Sequence, residues 1–303
     1  MRSDVSSFGV TNVRRTRSSE RLAKGGVVHR ALDGVLAGCD VEGSIASDPI
    51  EYVRRYAERD DAELVALIAS SVAFGNVKAL RAKLADALRR IGPSPARAAD
   101  DAAAIEARLS TWVHRVYRGD DLARLVIGAR RVQRASGSLG ARLASELREC
   151  DGALREALAR LVDAIRTEGG LDRSPTRGAR HLLPDPRASS GCKRLLLFLR
   201  WMVRGPDGVD LGLWRAHLDA SRLLVPVDVH IHKLARNLGL TQRATPSWRT
   251  TEEITDALRR FDADDPVRFD FALCHMGMLR RCPSRRDATK CEGCPVKPVC
   301  RWW

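Results

Sequence analysis

Apolar positions recur every three or four residues along most of the chain, the spacing that lines one face of an α-helix. From Val27 the pattern runs almost without a break. Asp48-Pro49 reads as an N-cap followed by proline at the first helical position, leading Ile50 to Val53 into a short helix. Asp60 or Asp61 then caps the dense apolar run from Glu63 to Ile68. Val77, Leu80, Leu84, Leu88 and Ile91 predict a helix over 76–91, stopped by Gly92-Pro93-Ser94-Pro95. Further helices fit residues 100–117, 120–134, 138–148 and 151–167. Gly169 to Ser190 is the longest irregular stretch, with Pro175, Pro184 and Pro186. Lys193 to Val203 is apolar enough for a buried helix, broken by Gly205-Pro206-Asp207-Gly208. A short segment, Leu211 to Leu223, leads to a helix over about 229–238. Thr250-Thr251-Glu252-Glu253 forms a capping box for another over 251–261. No sustained alternation of apolar and polar residues occurs, so the pattern predicts an all-α protein.

Composition adds size and charge. At 303 residues with 44% hydrophobic side chains, the chain has length for about two domains and the means to bury a core. Global disorder is thereby excluded. Fifty-two Lys+Arg against 38 Asp+Glu give a formal charge of +14, which points to a polyanionic partner, foremost nucleic acid. Residues 1–26 hold Arg2, Arg14, Arg15, Arg17, Arg21 and Lys24 against Asp4 and Glu20, and read as a disordered basic arm. Met1 to Gly25 contains no apolar run of signal-peptide length, and no stretch of about 20 apolar residues is present. The expectation is a cytoplasmic, nucleoid-associated monomer with no membrane contact.

Eight cysteines fall at 39, 150, 192, 274, 282, 291, 294 and 300, five of them in the last 30 residues. Clustering at one end of an intracellular chain suggests a metal rather than disulfides. Cys282, Cys291, Cys294 and Cys300 form C-x8-C-x2-C-x5-C, four thiolates able to hold the four irons of a [4Fe–4S] cube. A tetrahedral Zn site is the alternative, although zinc more often uses two separate CxxC knuckles. Arg280, Arg281, Arg285, Arg286, Lys290, Lys297 and Arg301 surround these cysteines against Asp287 and Glu292, a balance suited to a phosphate backbone. The bland reading of that charge is a solvated surface.

These features occur in an order that resembles a known family. The C-terminal cysteine pattern resembles the iron–sulfur loop of endonuclease III-like DNA glycosylases, members of the helix-hairpin-helix superfamily. Val227-Asp228-Val229-His230-Ile231 looks like that superfamily's V-D-T-H-V segment, and Gly191-Cys192-Lys193 looks like the G-x-K that ends its hairpin. Asp61 to Asn76 is similar to the helix that opens the superfamily domain. The likeness spans about residues 45–303. Family hairpins usually read L-P-G-V-G-x-K, whereas here only the final glycine remains, and the extra segment Pro206 to Arg222 loops out between Lys193 and Asp228.

The resemblance implies an all-α, two-lobed helix-hairpin-helix glycosylase-like fold with a C-terminal [4Fe–4S] loop. Residues 27–60 and 228–303 would form the iron–sulfur lobe, with the cluster loop at 282–300, and residues 61–227 a helical lobe with the hairpin near 183–194. It implies double-stranded DNA with a damaged or mismatched base as partner. Catalysis falls to Lys193, as Schiff-base nucleophile, and to Asp228, as electrostatic and acid–base partner. Gly191, Arg194, Arg280, Arg281, Arg285 and Arg286 would meet DNA, and Cys282, Cys291, Cys294 and Cys300 would hold the metal. The activity implied is base-excision repair by a DNA glycosylase with AP lyase activity. Two alternatives stand beside it: a monofunctional glycosylase in which Asp228 activates water and Lys193 holds phosphate, and a non-catalytic iron–sulfur DNA-binding protein. Residue by residue, Lys193 also reads as a phosphate-binding lysine at a helix start and Asp228 as a plain N-cap. Trp201, Trp214, Trp248, Trp302 and Trp303 are candidates for base stacking, and Cys274 reads as buried structure.

Overall fold

The computed structural model describes residues 20–173 and 175–303. The basic arm therefore lies largely outside the described residues. In chain order the elements are α1 (Val27–Ala37), α2 (Val41–Ser47), α3 (Ile50–Val53), α4 (Arg59–Ser71), α5 (Val77–Ile91), α6 (Pro95–Ala98) and α7 (Ala102–Leu109). A two-stranded antiparallel hairpin follows, β1 (Val113–His114) paired with β2 (Tyr117–Arg118) in the register His114 to Tyr117. Then come α8 (Gly119–Ser136), α9 (Leu139–Glu149), α10 (Leu154–Gly169), α11 (Arg177–Leu182), α12 (Lys193–Val203), α13 (Val229–Leu238), α14 (Trp248–Arg259) and α15 (Asp270–Leu279). The molecule is mostly helical, as the periodicity predicts.

The described residues form two compact units, one made by the chain up to Cys39 with Val227–Trp303, the other by Asp40–Pro226. The division thus falls at Cys39/Asp40, and residues 40–60 pack in the larger unit. The reason is local: α3 lies on α4, Tyr52 donates to the Arg81 carbonyl at 3.2 Å, and Arg81 pairs with Glu51 at 3.1 Å.

In the larger unit α4 is the central helix, buried from Asp61 to Ser71. Its Glu63 is fully buried, a placement tolerated only when every lone pair has a donor nearby. Three donors meet it: the Gln133 amide at 2.8 Å, the Leu139 N–H at 3.0 Å and the Trp214 indole at 2.6 Å. One carboxylate therefore ties α4 to the end of α8, the start of α9 and the segment after α12. Helices α8 and α10 cross at Gly128 and Gly169, where a Cβ on Gly128 would meet the Ile165 carbonyl at 2.1 Å. Only glycine permits backbones to approach so closely.

The segment 206–222 does not loop out. Asp210 forms a buried ion pair with Arg200 at 3.1 Å, and the Leu211 and Trp214 N–H groups donate to the Trp201 and Met202 carbonyls. Trp214 is 1% exposed and meets Phe198 edge-on at 5.0 Å. The added length thus supplies core to α12.

In the smaller unit α1 and α13 both pack on α15. His29 of α1 stacks on Phe261 at 5.1 Å and meets Phe269 edge-on at 6.2 Å. Helix α14 begins three residues before its predicted start at Thr251, because the Ser247 hydroxyl accepts from the Thr250 N–H at 3.2 Å. No helix among the described residues is long and apolar enough to cross a membrane.

Candidate functional site

The candidate residues fall in three places. Lys193 opens α12 in the larger unit, Asp228 caps α13 in the smaller one, and the four C-terminal cysteines lie farther along the smaller unit.

Helices α11 and α12 are joined by residues 183–192, so the hairpin region does have a helix–loop–helix order. The loop is held from beneath. Arg155 donates to the carbonyls of Pro186, Arg187 and Ala188 at 2.8–3.2 Å, and Arg166 to that of Leu183 at 2.6 Å. Arg187 is bound by Glu156 at 3.0 Å and Asp163 at 2.8 Å, partners that raise its pKa above the ordinary arginine value. Cys192 ends the loop in the left-handed conformation (φ 47°), uncommon for a residue with a Cβ. Its thiol is buried, which pushes the thiol pKa up and marks it as structural.

Helix α12 has no side-chain cap, so its first N–H groups, those of Lys193, Arg194 and Leu195, have no acceptor among the described residues. Lys193 stands half-buried at this positive end of the helix dipole. Of the two neighbours expected to meet DNA, Gly191 is buried. Arg194 turns inward: it donates to the Ser71 carbonyl at 2.8 Å, to the Tyr117 hydroxyl and to the His181 carbonyl. Burial lowers the Arg194 pKa and raises that of Tyr117. His181, whose Nδ1 lies 2.7 Å from that hydroxyl, is depressed to about 4, first by burial and then by the Arg194 and Arg177 charges. Arg194 is thus the strut that fixes the start of α12 to α4, β2 and α11.

Asp228 is half-buried, and its Oδ1 accepts from the His230 and Ile231 N–H groups, both at 2.8 Å. The Cys274 thiol of α15 lies 3.4 Å from Oδ2. N-capping through Oδ1 is therefore a real function of this residue, while Oδ2 takes the Cys274 thiol. Cys274, read from sequence as buried structure, is a half-buried neighbour of this carboxylate; nothing in its spacing from Asp228 announces the pairing. His232 Nε2 donates to the Arg243 carbonyl at 3.0 Å, a structural role.

Cys282, Cys291, Cys294 and Cys300 line one small cavity, walled by Leu234, Pro283 and Val296. Burial and then the charge of neighbouring thiols push the Cys282 and Cys300 pKa values up. Thiolates crowded in this way need a cation among them, which is what a metal group supplies. The Asn237 amide lies 3.6 Å from the Cys282 sulfur, a hydrogen bond of the type that tunes metal–thiolate groups. The donor set fits an all-thiolate metal group. No group of three or more Cys, His, Asp or Glu side chains among the described residues is drawn together closely enough to hold a metal ion.

Close to these cysteines in sequence, Arg280, Arg281, Arg285 and Arg286 are all exposed, and none has a carboxylate partner among the described residues. Arg280 instead donates to the Glu292 carbonyl at 3.1 Å, and Arg286 lies over the Trp303 ring at 4.1 Å. Of the tryptophan candidates, Trp201, Trp214 and Trp248 are buried core, while Trp302 and Trp303 are exposed.

Residues 48–279 match the DUF2400 family, "Protein of unknown function", over more than half of the chain. The chain belongs to DUF2400. The matched region takes in Lys193, Asp228 and Cys274 and stops before the four clustered cysteines. No curated protein and no solved structure matches the chain.

Proposed function

We propose that this DUF2400 chain is a DNA base-excision enzyme, a glycosylase with AP lyase activity, acting on duplex DNA with a damaged or mismatched base. The observation that carries the reading is the C-terminal loop: four thiols lining one cavity, and four exposed arginines close to them in sequence that have no carboxylate partner among the described residues. A phosphate backbone is the natural counterpart of such a surface. Cys282, Cys291, Cys294 and Cys300 would hold a [4Fe–4S] group; their spacing, with a single CxxC, favours it over zinc. When bound, the group would clamp the loop that carries the arginines.

A base in a duplex is stacked, so the nucleotide must leave the helix before its glycosidic bond can be reached. Lys193 at the uncapped start of α12 is the nucleophile. Its neutral amine bonds to C1′ as the bond to the base breaks, the base leaving with a proton. The ring-opened sugar then forms a Schiff base on Nζ. Removal of a C2′ proton expels the 3′ phosphate, and water releases the lysine. The resemblance to the glycosylase family gives Asp228 the role of electrostatic partner to the positive charge that grows on the sugar during departure of the base.

The test is borohydride trapping with anaerobically purified protein on duplexes carrying an abasic site and a panel of oxidised, deaminated or alkylated bases. A covalent adduct that disappears in Lys193→Ala supports the lyase. Base release without an adduct moves the chemistry to water activated by Asp228. Binding with neither leaves an iron–sulfur DNA-binding protein.

A further inference from the structure

A cavity of about 520 Å³ opens in the smaller unit between α13 and the C-terminal residues, a size typical of small-molecule sites. Lys233, Arg236 and Arg301 line it, and its lining contains no aspartate or glutamate. The bonds these cations make are to neutral acceptors. Lys233 Nζ donates to the Cys282 carbonyl at 2.9 Å and Arg301 to the Gln242 amide oxygen at 2.8 Å. Arg236 is exposed and has no carboxylate partner among the described residues. Three positive charges therefore converge on a concave space whose described lining holds no carboxylate; the nearby Glu253, which accepts from the Gln242 N–H at 3.3 Å, is engaged by Arg243 at 2.7 Å, so the cavity concentrates anions.

The same cavity has an aromatic wall. Trp302 is 45% exposed, and its indole N–H donates to Asn237 Oδ1 at 2.9 Å, which fixes the plane of the ring. Trp303 is different, because Arg286 and Lys297 lie over its ring at 4.1 and 4.2 Å. A held aromatic face beside guanidinium forks is the chemistry that recognises a flat base carrying a phosphate.

We propose that this cavity is a nucleoside monophosphate site, with the phosphate on Arg236, Arg301 and Lys233 and the base on Trp302. The ligand has two sources, a free mononucleotide or the 5′-phosphorylated end of a DNA strand. The site is separate from the excision chemistry assigned to Lys193. Trapping judges that assignment and nucleotide binding judges this one, so each fails alone.

Isothermal titration of the anaerobically purified full-length chain tests it, with dAMP, adenosine and inorganic phosphate as probes. We expect saturable one-to-one binding of dAMP, with adenosine at least about tenfold weaker. Arg236→Ala, an exposed change that spares the fold, weakens both dAMP and phosphate about tenfold. Trp302→Ala weakens dAMP about tenfold and leaves phosphate unchanged, and Trp302→Phe recovers most of the loss. A 5′-phosphorylated oligonucleotide that binds more tightly than both dAMP and its hydroxyl-ended counterpart identifies a strand end as the source. Tighter binding of dAMP than of that oligonucleotide identifies the free nucleotide. Binding of dAMP no tighter than adenosine, or unaltered by Arg236→Ala and Trp302→Ala, overturns the proposal.

Discussion

Asp228 divides its carboxylate between two tasks. Oδ1 closes the first turn of α13, and Oδ2 faces the Cys274 thiol. Asparagine caps helices as well as aspartate does, so Asp228→Asn keeps α13 and removes only the charge. Single-turnover base release should fall by about two orders of magnitude, with duplex affinity within about twofold by gel shift. Undiminished release would take Asp228 out of the mechanism. His181 gives a second test at this scale. Its folded pKa is depressed to about 4, against about 6.5 for an unperturbed imidazole. Between those values the unfolded chain binds the extra proton, so stability is complete above about pH 6.5 and falls as the pH drops toward 4. Because the ring is partly exposed, solvent screening reduces the amplitude. His181→Gln should flatten that part of a thermal-unfolding profile against pH. A profile with the same slope as wild type would show that other groups set the acid limit.

At the scale of elements, the strongly periodic helices were legible to within a few residues: α5, α8, α9, α10, α12 and α13 all carry long apolar stripes. What sequence did not reveal lies where tertiary partners decide. The stretch 100–117 reads as one helix, yet it ends at Leu109 and gives way to β1 and β2, whose two-residue strands are too short for alternation to register. Helix α11 hides among prolines, and it is capped by the Thr176 hydroxyl at 2.8 Å from the Ala179 N–H. The site was legible in part. Lys193 and Asp228 do open helices, but the inward course of Arg194 depends on Tyr117 and His181, remote in sequence. Trp214 shows why the 206–222 segment was misjudged, since its role rests on Glu63, 151 residues away. Trp214→Ala should cost about 3–5 kcal/mol in urea unfolding, because it opens a cavity and strips a donor from a buried carboxylate. A loss below about 1 kcal/mol would show that the segment is a surface appendage. The cysteine loop makes its own forecast. Wild-type protein purified without oxygen should hold about four irons per chain, and Cys294→Ser should lose them together with the brown colour. One zinc per wild-type chain would replace the cluster with a mononuclear site.

Across the whole molecule the excess of 14 positive charges is a statement about partners rather than fold. Much of the arginine content is consumed internally. Arg130 pairs with Asp60 at 2.9 Å and Asp100 at 2.8 Å, Arg200 with Asp210 at 3.1 Å, and Arg187 with Glu156 at 3.0 Å. Arginines engaged in this way release no counterions on meeting DNA. Those of the cysteine loop, Arg280, Arg281, Arg285 and Arg286, lack such partners among the described residues and are exposed. If they meet phosphates, each contributes about 0.9 to the slope of log affinity against log salt. Binding of an undamaged duplex, measured from low to moderate NaCl, should therefore lose about one unit of slope for each arginine changed to glutamine. Arg187→Gln, at a saturated ion pair in the hairpin loop, should leave the slope as it is. Equal slopes for wild type and all the loop variants would place the DNA surface elsewhere and remove the observation on which the functional reading rests. A fall confined to the loop variants would mark the cysteine loop as a main electrostatic contact with the duplex.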